Sequence, residues 1–318
     1  MRKPGDIAII GAPIDAGASV RGASLGPAAL RISGLADELA RLGRKVVDQG
    51  DVSAPSGGAR GEAPRLPGCA NADAVAGWAR ALHDATLDAL RAGQTPMILG
   101  GDHSLSMGSV SAAARHARAE GKRLVLLWLD AHADYNTPAT TPSGNMHGMP
   151  VAFLTGDPAL RPLLGDREFA SLNPSNVHLF GLRSVDRDER AALAAKGIDC
   201  VDMRRIDEFG VFALMRDLLG ALDPATTHLH VSLDLDLVDP ALAPGVGTPV
   251  EGGLTWREAH LIMELIHESG LMRSLDLVEL NPLLDERGRT ARLAIELVAS
   301  LFGKSVLGRA ETPAARAA

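Results

Sequence analysis

The chain has 318 residues, of which 46% are hydrophobic and 22% are charged, so it can bury the core of one large α/β domain and is unlike a disordered protein. Its formal net charge of −7 argues against a broad nucleic-acid-binding surface. The two cysteines, Cys69 and Cys200, form neither a metal-binding spacing nor a disulfide framework, which is typical of a reducing compartment.

The first apolar run of the chain, Ile7–Ile10, is too short for a signal-peptide core or a membrane span. No later stretch reaches about 18 uninterrupted apolar residues. We therefore expect a cytoplasmic protein that binds neither membrane nor nucleic acid.

Short apolar segments alternate with stretches of helical period along the whole chain. The expected strands are Asp6–Gly11, Lys45–Val47, Thr95–Leu99, Leu124–Leu129, Asn176–Phe180, Ile198–Val201, Thr227–Leu235 and Met272–Leu280. The expected helices include Ala28–Leu42, Asp73–Arg91, Arg187–Lys196, Ile206–Leu222, Thr255–Ser269 and Glu286–Phe302. This alternation predicts a single-domain, three-layer α/β/α fold with a mostly parallel central sheet. We place the domain at residues 1–308, a Gly/Pro-rich loop at Gln49–Gly68 and a flexible tail at residues 309–318.

A buried strand with a polar end stands at the centre of this pattern. The stretch Leu124–Asn136 reads LVLLWLDAHADYN, so an apolar run is followed by Asp130, His132 and Asp134. If the backbone stays extended, these alternate side chains point the same way. They would then converge at the carboxyl end of the strand, where open α/β sheets bind ligands. A solvated loop is the plainer interpretation, but three groups able to bind metal on one face favour a metal site.

Two further clusters follow other expected strands. The segment GGDHS places His103 after two glycines, which allow a sharp turn and a close approach of the backbone. The segment HLHVSLDLDLVDP carries Asp234 and Asp236, on a face shared with Ser232 and His230. Carboxylates among leucines are costly to bury unless they are paired or bind metal. A helix-capping histidine and an exposed acidic strand are the alternatives, and His230 is undecided.

These clusters supply two histidines and four aspartates, too many for a single four-coordinate zinc ion. The candidate ligands are His103, Asp130, His132, Asp134, Asp234 and Asp236. They suit two divalent cations, and an oxygen-rich set without thiolate favours manganese over zinc. Two such ions about 3.5–4 Å apart would hold a bridging water and make hydroxide available near neutral pH.

The last expected strand ends in SLDLVELNP, which brings Glu279 to the same edge of the sheet. A carboxylate beside a dinuclear site is well placed to hold a cation such as a guanidinium. The alternative is an ordinary salt bridge at a strand end.

The motifs GGDHS, DAHADYN, SLDLDLVDP and GTPVEGGLTWRE, in this order, resemble those of the ureohydrolase superfamily, which includes arginases and agmatinases. The similarity runs from IIGAPIDAG to LFGKSVL and covers nearly the whole chain. The segments NTPATTPSGNMHGMPVAFL and GLRSVDRDE are most similar to the substrate loops of arginases.

This resemblance implies hydrolysis of L-arginine to L-ornithine and urea by a hydroxide that bridges two Mn²⁺ ions, in a homo-oligomer that is commonly a trimer or hexamer. It implies that Asp130 and Asp234 bridge the two ions and carry a proton. His147 matches the proton shuttle, and Glu279 matches the glutamate that orients the guanidinium. The substrate-binding positions implied are Asn136, Thr141 and Ser143 for the α-carboxylate, Asp186 and Glu189 for the α-amino group, and Thr248 near the metals.

The second substrate loop departs from the family pattern beside Asp186. Ser184 stands where arginases often carry Asp, and Arg187-Asp188 replaces a Pro-Gly turn. The alternatives are therefore a related enzyme acting on agmatine, guanidinobutyrate or a similar compound, a zinc deacylase on the same fold, and a regulatory subunit without activity. Paired polar groups for an amino-acid head favour arginine, because a substrate without that head would leave them unpaired.

Overall fold

The computed structural model describes residues 5–53 and 66–307. Most of the expected loop Gln49–Gly68 and the whole expected tail lie outside these residues, as does the domain boundary at residue 308. Within the described ranges, none of the helices combines the length and apolar character needed to cross a bilayer.

The described residues form strands and helices that alternate along the chain. The strands are β1 (Ile7–Ala12), β2 (Val46–Asp51), β3 (Thr95–Gly100), β4 (Arg123–Leu129), β5 (Val177–Leu182), β6 (Asp199–Asp202), β7 (Thr227–Asp234) and β8 (Met272–Val278). The helices are α1 (Gly26–Ile32), α2 (Leu35–Arg41), α3 (Ala72–Arg91), α4 (Ser106–Ala119), α5 (Pro150–Leu154), α6 (Arg187–Lys196), α7 (Met203–Phe209), α8 (Val211–Gly220), α9 (Trp256–Ser269) and α10 (Arg289–Leu301).

All the strands join one sheet in the order β2-β1-β3-β8-β7-β4-β5-β6, and every pairing is parallel. The sheet is buried on both faces, since alternate residues of β4 enter different cores. Val125, Leu127 and Leu129 pack with helices α1, α2 and α7–α10, whereas Leu126 and Trp128 pack with α3–α5. The expected three-layer α/β/α fold is confirmed.

Two of the expected helices are broken by a glycine. The stretch Ala28–Leu42 forms α1 and α2, separated by Gly34 with φ 92°, and Ile206–Leu222 spans α7 and α8, separated by Gly210 with φ 77°. Such φ values are easy for glycine and end a helix. The expected capping box of α9 is present, with Glu258 three residues after Thr255.

Candidate metal centre and active site

The first group of candidate ligands surrounds the imidazole of His103, which follows β3. Its Nδ1 lies 3.0 Å from Asp130 Oδ2, 3.3 Å from Asp134 Oδ2 and 3.3 Å from Asp234 Oδ2. Nδ1 of His103 is buried and finds no hydrogen-bond partner among the described residues, although oxygen atoms surround it. An imidazole nitrogen and carboxylate oxygens gathered in this way could hold a metal ion.

The second group lies beside the first and shares Asp130 with it. His132 Nδ1 lies 3.0 Å from Asp236 Oδ2 and 3.4 Å from Asp130 Oδ1. The two oxygens of Asp130 therefore face different groups, Oδ2 the His103 group and Oδ1 the His132 group. The structure thus brings all the expected ligands together as two adjacent sets of donors joined by one carboxylate.

The expected reason for this convergence, an extended backbone from Asp130 to Asp134 and from Asp234 to Asp236, is wrong. Strand β4 ends at Leu129, Asp134 has a left-handed φ of 49°, and Asp236 lies in a 3₁₀ turn. Each first aspartate caps its own turn, because Asp130 Oδ1 accepts the His132 N–H at 2.6 Å and Asp234 Oδ1 accepts the Asp236 N–H at 2.8 Å. These local turns, rather than strand alternation, aim the side chains.

The electrostatics of the cluster favour bound cations. Burial raises the pKa of Asp134 and Asp234 well above the usual value, and the charges of neighbouring aspartates raise it further. Burial lowers the pKa of His132, but Asp130 and Asp236 outweigh it and raise that pKa to about 12. Without metal, the site must hold protons to limit its charge. Four carboxylates and two imidazoles instead fit two divalent cations, whose charge would replace those protons.

Neighbouring groups hold the ligands in place. Trp128 Nε1 donates to Asp130 Oδ2 at 2.9 Å, and its ring stacks on the imidazole of His103 with centroids 3.8 Å apart. Thr248 Oγ1 donates to Asp236 Oδ2 at 3.3 Å. Such outer contacts fix the orientation of metal ligands.

A cavity of about 230 Å³ lies against the two donor groups. Its lining includes ligands from both groups and the expected substrate-binding residues. These are His103, His132, Asp134, Asp234, His147, Asn136, Thr141, Ser143, Asp186, Glu189 and Thr248. The cavity therefore joins the metal centre to the loops that the sequence marks for substrate.

His147, which lines this cavity, forms a pair with the buried carboxylate of Glu279. His147 Nδ1 lies 3.1 Å from Glu279 Oε1, which also accepts the backbone N–H of His103 at 2.8 Å. Glu279 is buried directly after β8 and has a left-handed φ of 65°, a strained conformation for glutamate. Burial lowers the pKa of His147, but the Glu279, Asp102 and Asp234 carboxylates outweigh it and raise that pKa.

The two substrate loops meet around Asn136 and Asp186. Asn136 Nδ2 donates to Asp186 Oδ2 at 2.9 Å. Buried Glu189 ties the loops together, because its Oε1 accepts the Tyr135 N–H at 2.8 Å and its Oε2 accepts the Asp186 N–H at 2.9 Å. Ser143 Oγ accepts the Asn145 N–H at 3.2 Å, which leaves its hydroxyl proton able to donate to a ligand.

A family model described as the Arginase family matches residues 5–303. The chain belongs to the arginase family. It is 48% identical to an arginase of Agrobacterium fabrum over 311 residues, which cover 96% of this chain and 93% of that protein. It is 46% identical to an arginase of Brucella melitensis over 301 residues, covering 95% and 97% of the two proteins. The solved structure of arginase from Bacillus caldovelox superposes with a TM-score of 0.87 at 40% identity, covering 95% of this chain and all of that one.

In this member of the arginase family, other polar residues have local roles. Asp239 closes a turn by accepting the N–H groups of Ala241 and Gly252, as its position before Pro240 predicts. The phenol of Tyr135 meets Thr155 Oγ1 at 3.1 Å. Tyr135 is not among the residues that line the cavity.

Sequence reasoning missed several residues that support the site. In the sequence, Trp128 is one residue of an apolar strand and Asp276 is one polar residue in another, so neither alone signals a role beside the site. The undecided His230 is buried, with Nδ1 at 2.7 Å from Ser274 Oγ and Nε2 at 3.2 Å from Asp276 Oδ2. Polar residues inside the apolar run Ser274–Val278 were the available signal, since a buried charge requires partners.

Proposed function

We propose that the protein is an arginase that hydrolyses L-arginine to L-ornithine and urea. The observation that carries this proposal is the shared Asp130 between two adjacent donor groups, at a cavity whose other residues suit an amino-acid head group. Membership of the arginase family supports the same reaction.

We propose two Mn²⁺ ions in this centre. His103, Asp130, Asp134 and Asp234 would hold the first. His132 and Asp236 would hold the second together with the shared carboxylates Asp130 and Asp234. When bound, the ions lower the pKa of water so that hydroxide is available near neutral pH, and they stabilise developing negative charge. The absence of thiolate from the ligand set favours manganese over zinc.

Residues of the chain would orient the guanidinium and move protons. Glu279 Oε1 is occupied by His147 and the His103 N–H, so its second oxygen is the one available to orient the guanidinium. The Asp130 carboxylate would accept the proton that the attacking water releases. His147 would return a proton to the departing amine nitrogen of ornithine, a task that suits an imidazole kept protonated by neighbouring carboxylates.

The head group of arginine would bind at the opposite part of the cavity. Asn136 and Ser143 would donate to the α-carboxylate, and Thr141 would contact it through water. Asp186 would accept from the α-amino group, with Glu189 acting through water as well as holding the two loops together. We place Thr248 near the metals, where its contact with Asp236 orients a ligand.

The alternative function is hydrolysis of another guanidino compound, such as agmatine or guanidinobutyrate, in the same centre. One observation supports this alternative. The Asp186 carboxylate is already paired with Asn136, and Ser184, which differs from the usual arginase residue, lies beside it in the cavity lining. A substrate without an α-amino group would not compete for that carboxylate.

The decisive experiment is a urea-release assay on arginine, agmatine and guanidinobutyrate, with chelated protein and with added Mn²⁺, Zn²⁺ or Mg²⁺. We expect Mn²⁺-dependent urea release, with the largest kcat/KM for L-arginine. Preference for agmatine would favour the alternative, and metal-independent turnover would overturn the proposed centre.

We also propose that the enzyme is cytoplasmic and assembles into a homo-oligomer, a trimer or hexamer. Large apolar side chains exposed in the single chain, including Ile32, Phe209 and Leu283, support assembly. Light scattering coupled to size-exclusion chromatography would measure the mass, and a monomer at micromolar concentration would contradict this part of the proposal.

A further inference from the structure

A buried chain of polar contacts leads away from the metal centre, between β7, β8 and the start of α4. His103 Nε2 lies 2.7 Å from Ser232 Oγ, and Ser232 Oγ lies 3.3 Å from Ser106 Oγ. Ser106 Oγ then donates to Asp276 Oδ2 at 2.7 Å. These four residues are at most 1% exposed, so no bulk water competes for the contacts.

If Asp276 is ionised and each of these contacts is a hydrogen bond, the hydrogen atoms in this chain can point in only one direction. A carboxylate only accepts, so the single hydroxyl proton of Ser106 goes to Asp276. Ser106 Oγ can then only accept from Ser232, whose hydroxyl proton is used in turn. Ser232 Oγ must therefore accept from His103, which places the proton of a neutral imidazole on Nε2. The lone pair of Nδ1 is left facing Asp130, Asp134 and Asp234.

Several contacts keep Asp276 ionised although it is fully buried. Its Oδ2 also accepts from Ser109 Oγ at 2.6 Å, and His230 Nε2 lies 3.2 Å from the same oxygen. Burial raises the pKa of Asp276, but His230 and the two serine hydroxyls outweigh it and lower that pKa. Among the described residues, the side-chain partners of Asp276 are Ser106, Ser109 and His230, which are neither candidate metal ligands nor part of the cavity lining.

We propose that Asp276 is a positioning residue for the metal centre, acting through Ser106 and Ser232 to hold His103 in the tautomer whose Nδ1 can bind a cation. The proposal rests on the metal centre under the proposed function. If the relay is broken, Ser232 can donate to His103 Nε2, and the imidazole can then carry its proton on Nδ1. That proton would point at the cation site and would have to be lost before metal binds.

The test compares the parent with Asp276→Asn, Ser106→Ala and the matched control Ser109→Ala. Ser109 donates to the same oxygen as Ser106, whereas the hydroxyl beside Ser232 in the relay is that of Ser106. Chelated protein is titrated with Mn²⁺, and free Mn²⁺ is measured by its electron paramagnetic resonance signal. Arginine kinetics at saturating Mn²⁺ and thermal unfolding in chelator are recorded for each variant.

We expect Asp276→Asn and Ser106→Ala to weaken Mn²⁺ binding about 10- to 100-fold, as loss of an outer contact to a ligand does. The KM for arginine at saturating Mn²⁺ should stay unchanged. Ser109→Ala leaves Ser106 and His230 beside Asp276 and should therefore weaken Mn²⁺ binding much less than Ser106→Ala. Equal Mn²⁺ affinity in Ser106→Ala and parent, or equal weakening in Ser106→Ala and Ser109→Ala, would overturn the relay even if Asp276→Asn does not fold. A parent that binds no Mn²⁺ would instead overturn the proposed metal centre and this inference with it.

Discussion

Replacing Asp234 by asparagine distinguishes the contribution of this carboxylate to Mn²⁺ binding from its effect on the stability of the metal-free protein. Asp234 Oδ1 accepts the Asp236 N–H at 2.8 Å, whereas Oδ2 lies 3.3 Å from His103 Nδ1 among the donors. In Asp234→Asn the amide oxygen keeps the bond to Asp236 N–H, so the NH₂ group takes the place of Oδ2. An NH₂ group cannot bind a cation, and the variant loses a ligand as well as a charge.

The expected loss of Mn²⁺ affinity follows from the negative charge that the substitution removes. One unit charge about 4 Å from a cation contributes about 4 kcal/mol at an effective dielectric constant of about 20, or about a thousandfold in affinity. Parent protein at 100 times its Mn²⁺ dissociation constant should gain about 2.7 kcal/mol of stability, most of which the variant should lose. Turnover should become undetectable.

Without metal, the substitution Asp234→Asn should not lower the free energy of unfolding. Burial and neighbouring charges raise the pKa of Asp234 well above the usual value, so the folded parent binds a proton that the unfolded chain releases. This contribution to stability is present at low pH and is lost as pH rises toward the raised pKa. Asparagine has no such dependence, so the chelated variant should be at least as stable as the chelated parent near pH 7.

The assay is calorimetric unfolding of parent, Asp234→Asn and the control Asp239→Asn, in chelator and in Mn²⁺, together with urea release. Asp239 is a turn aspartate whose oxygens accept backbone N–H groups away from the donors, so its variant should respond to Mn²⁺ like the parent. Retained turnover and an undiminished Mn²⁺-dependent gain in Asp234→Asn would refute the dinuclear arrangement.

Three other substitutions test separate parts of the molecule. His147→Asn should lower kcat about 10²- to 10⁴-fold without changing Mn²⁺ affinity, and equal kcat in parent and variant would exclude a proton-transfer role. Asp186→Ala should raise the KM for arginine far more than that for agmatine, and an equal rise for both would contradict the head-group assignment. His228, whose pKa burial and nearby Lys122 lower to about 4, destabilises the fold as pH falls below about 6.5. In His228→Asn, the free energy of unfolding should therefore fall less between pH 6.5 and 4 than in the parent, as measured by urea-induced unfolding at each pH. An equal fall in both proteins would refute this.

The candidate ligands could be recognised from sequence because they follow the carboxyl ends of apolar strands, which meet at one edge of a parallel sheet. Asp130 follows β4 and Asp234 ends β7, and these two strands are neighbours in the sheet. His103 follows β3, which only β8 separates from β7. The orientation of each side chain was harder to predict from the sequence. Turns in which Asp130 and Asp234 cap nearby N–H groups replaced the extended backbone that was expected.

The support behind the ligands could not be predicted, because it depends on contacts between distant parts of the chain. The contact of Ser106 with Asp276 joins residues 170 positions apart, and periodicity carries no information on such a pair. The glycine breaks at Gly34 and Gly210 were missed for a different reason, since an apolar period continues across a short interruption.

The position of β8 in the sheet has a consequence for how the protein is made. This strand comes last along the chain but is inserted between β3 and β7, and it carries Glu279 at its end. A ribosome-bound chain that has not yet released residues 272–278 therefore has its two half-sheets unjoined, with His103 on one and Asp130 on the other. The proposed metal centre can therefore form only after β8 has been made, and a truncation that removes this strand should yield protein that does not bind Mn²⁺.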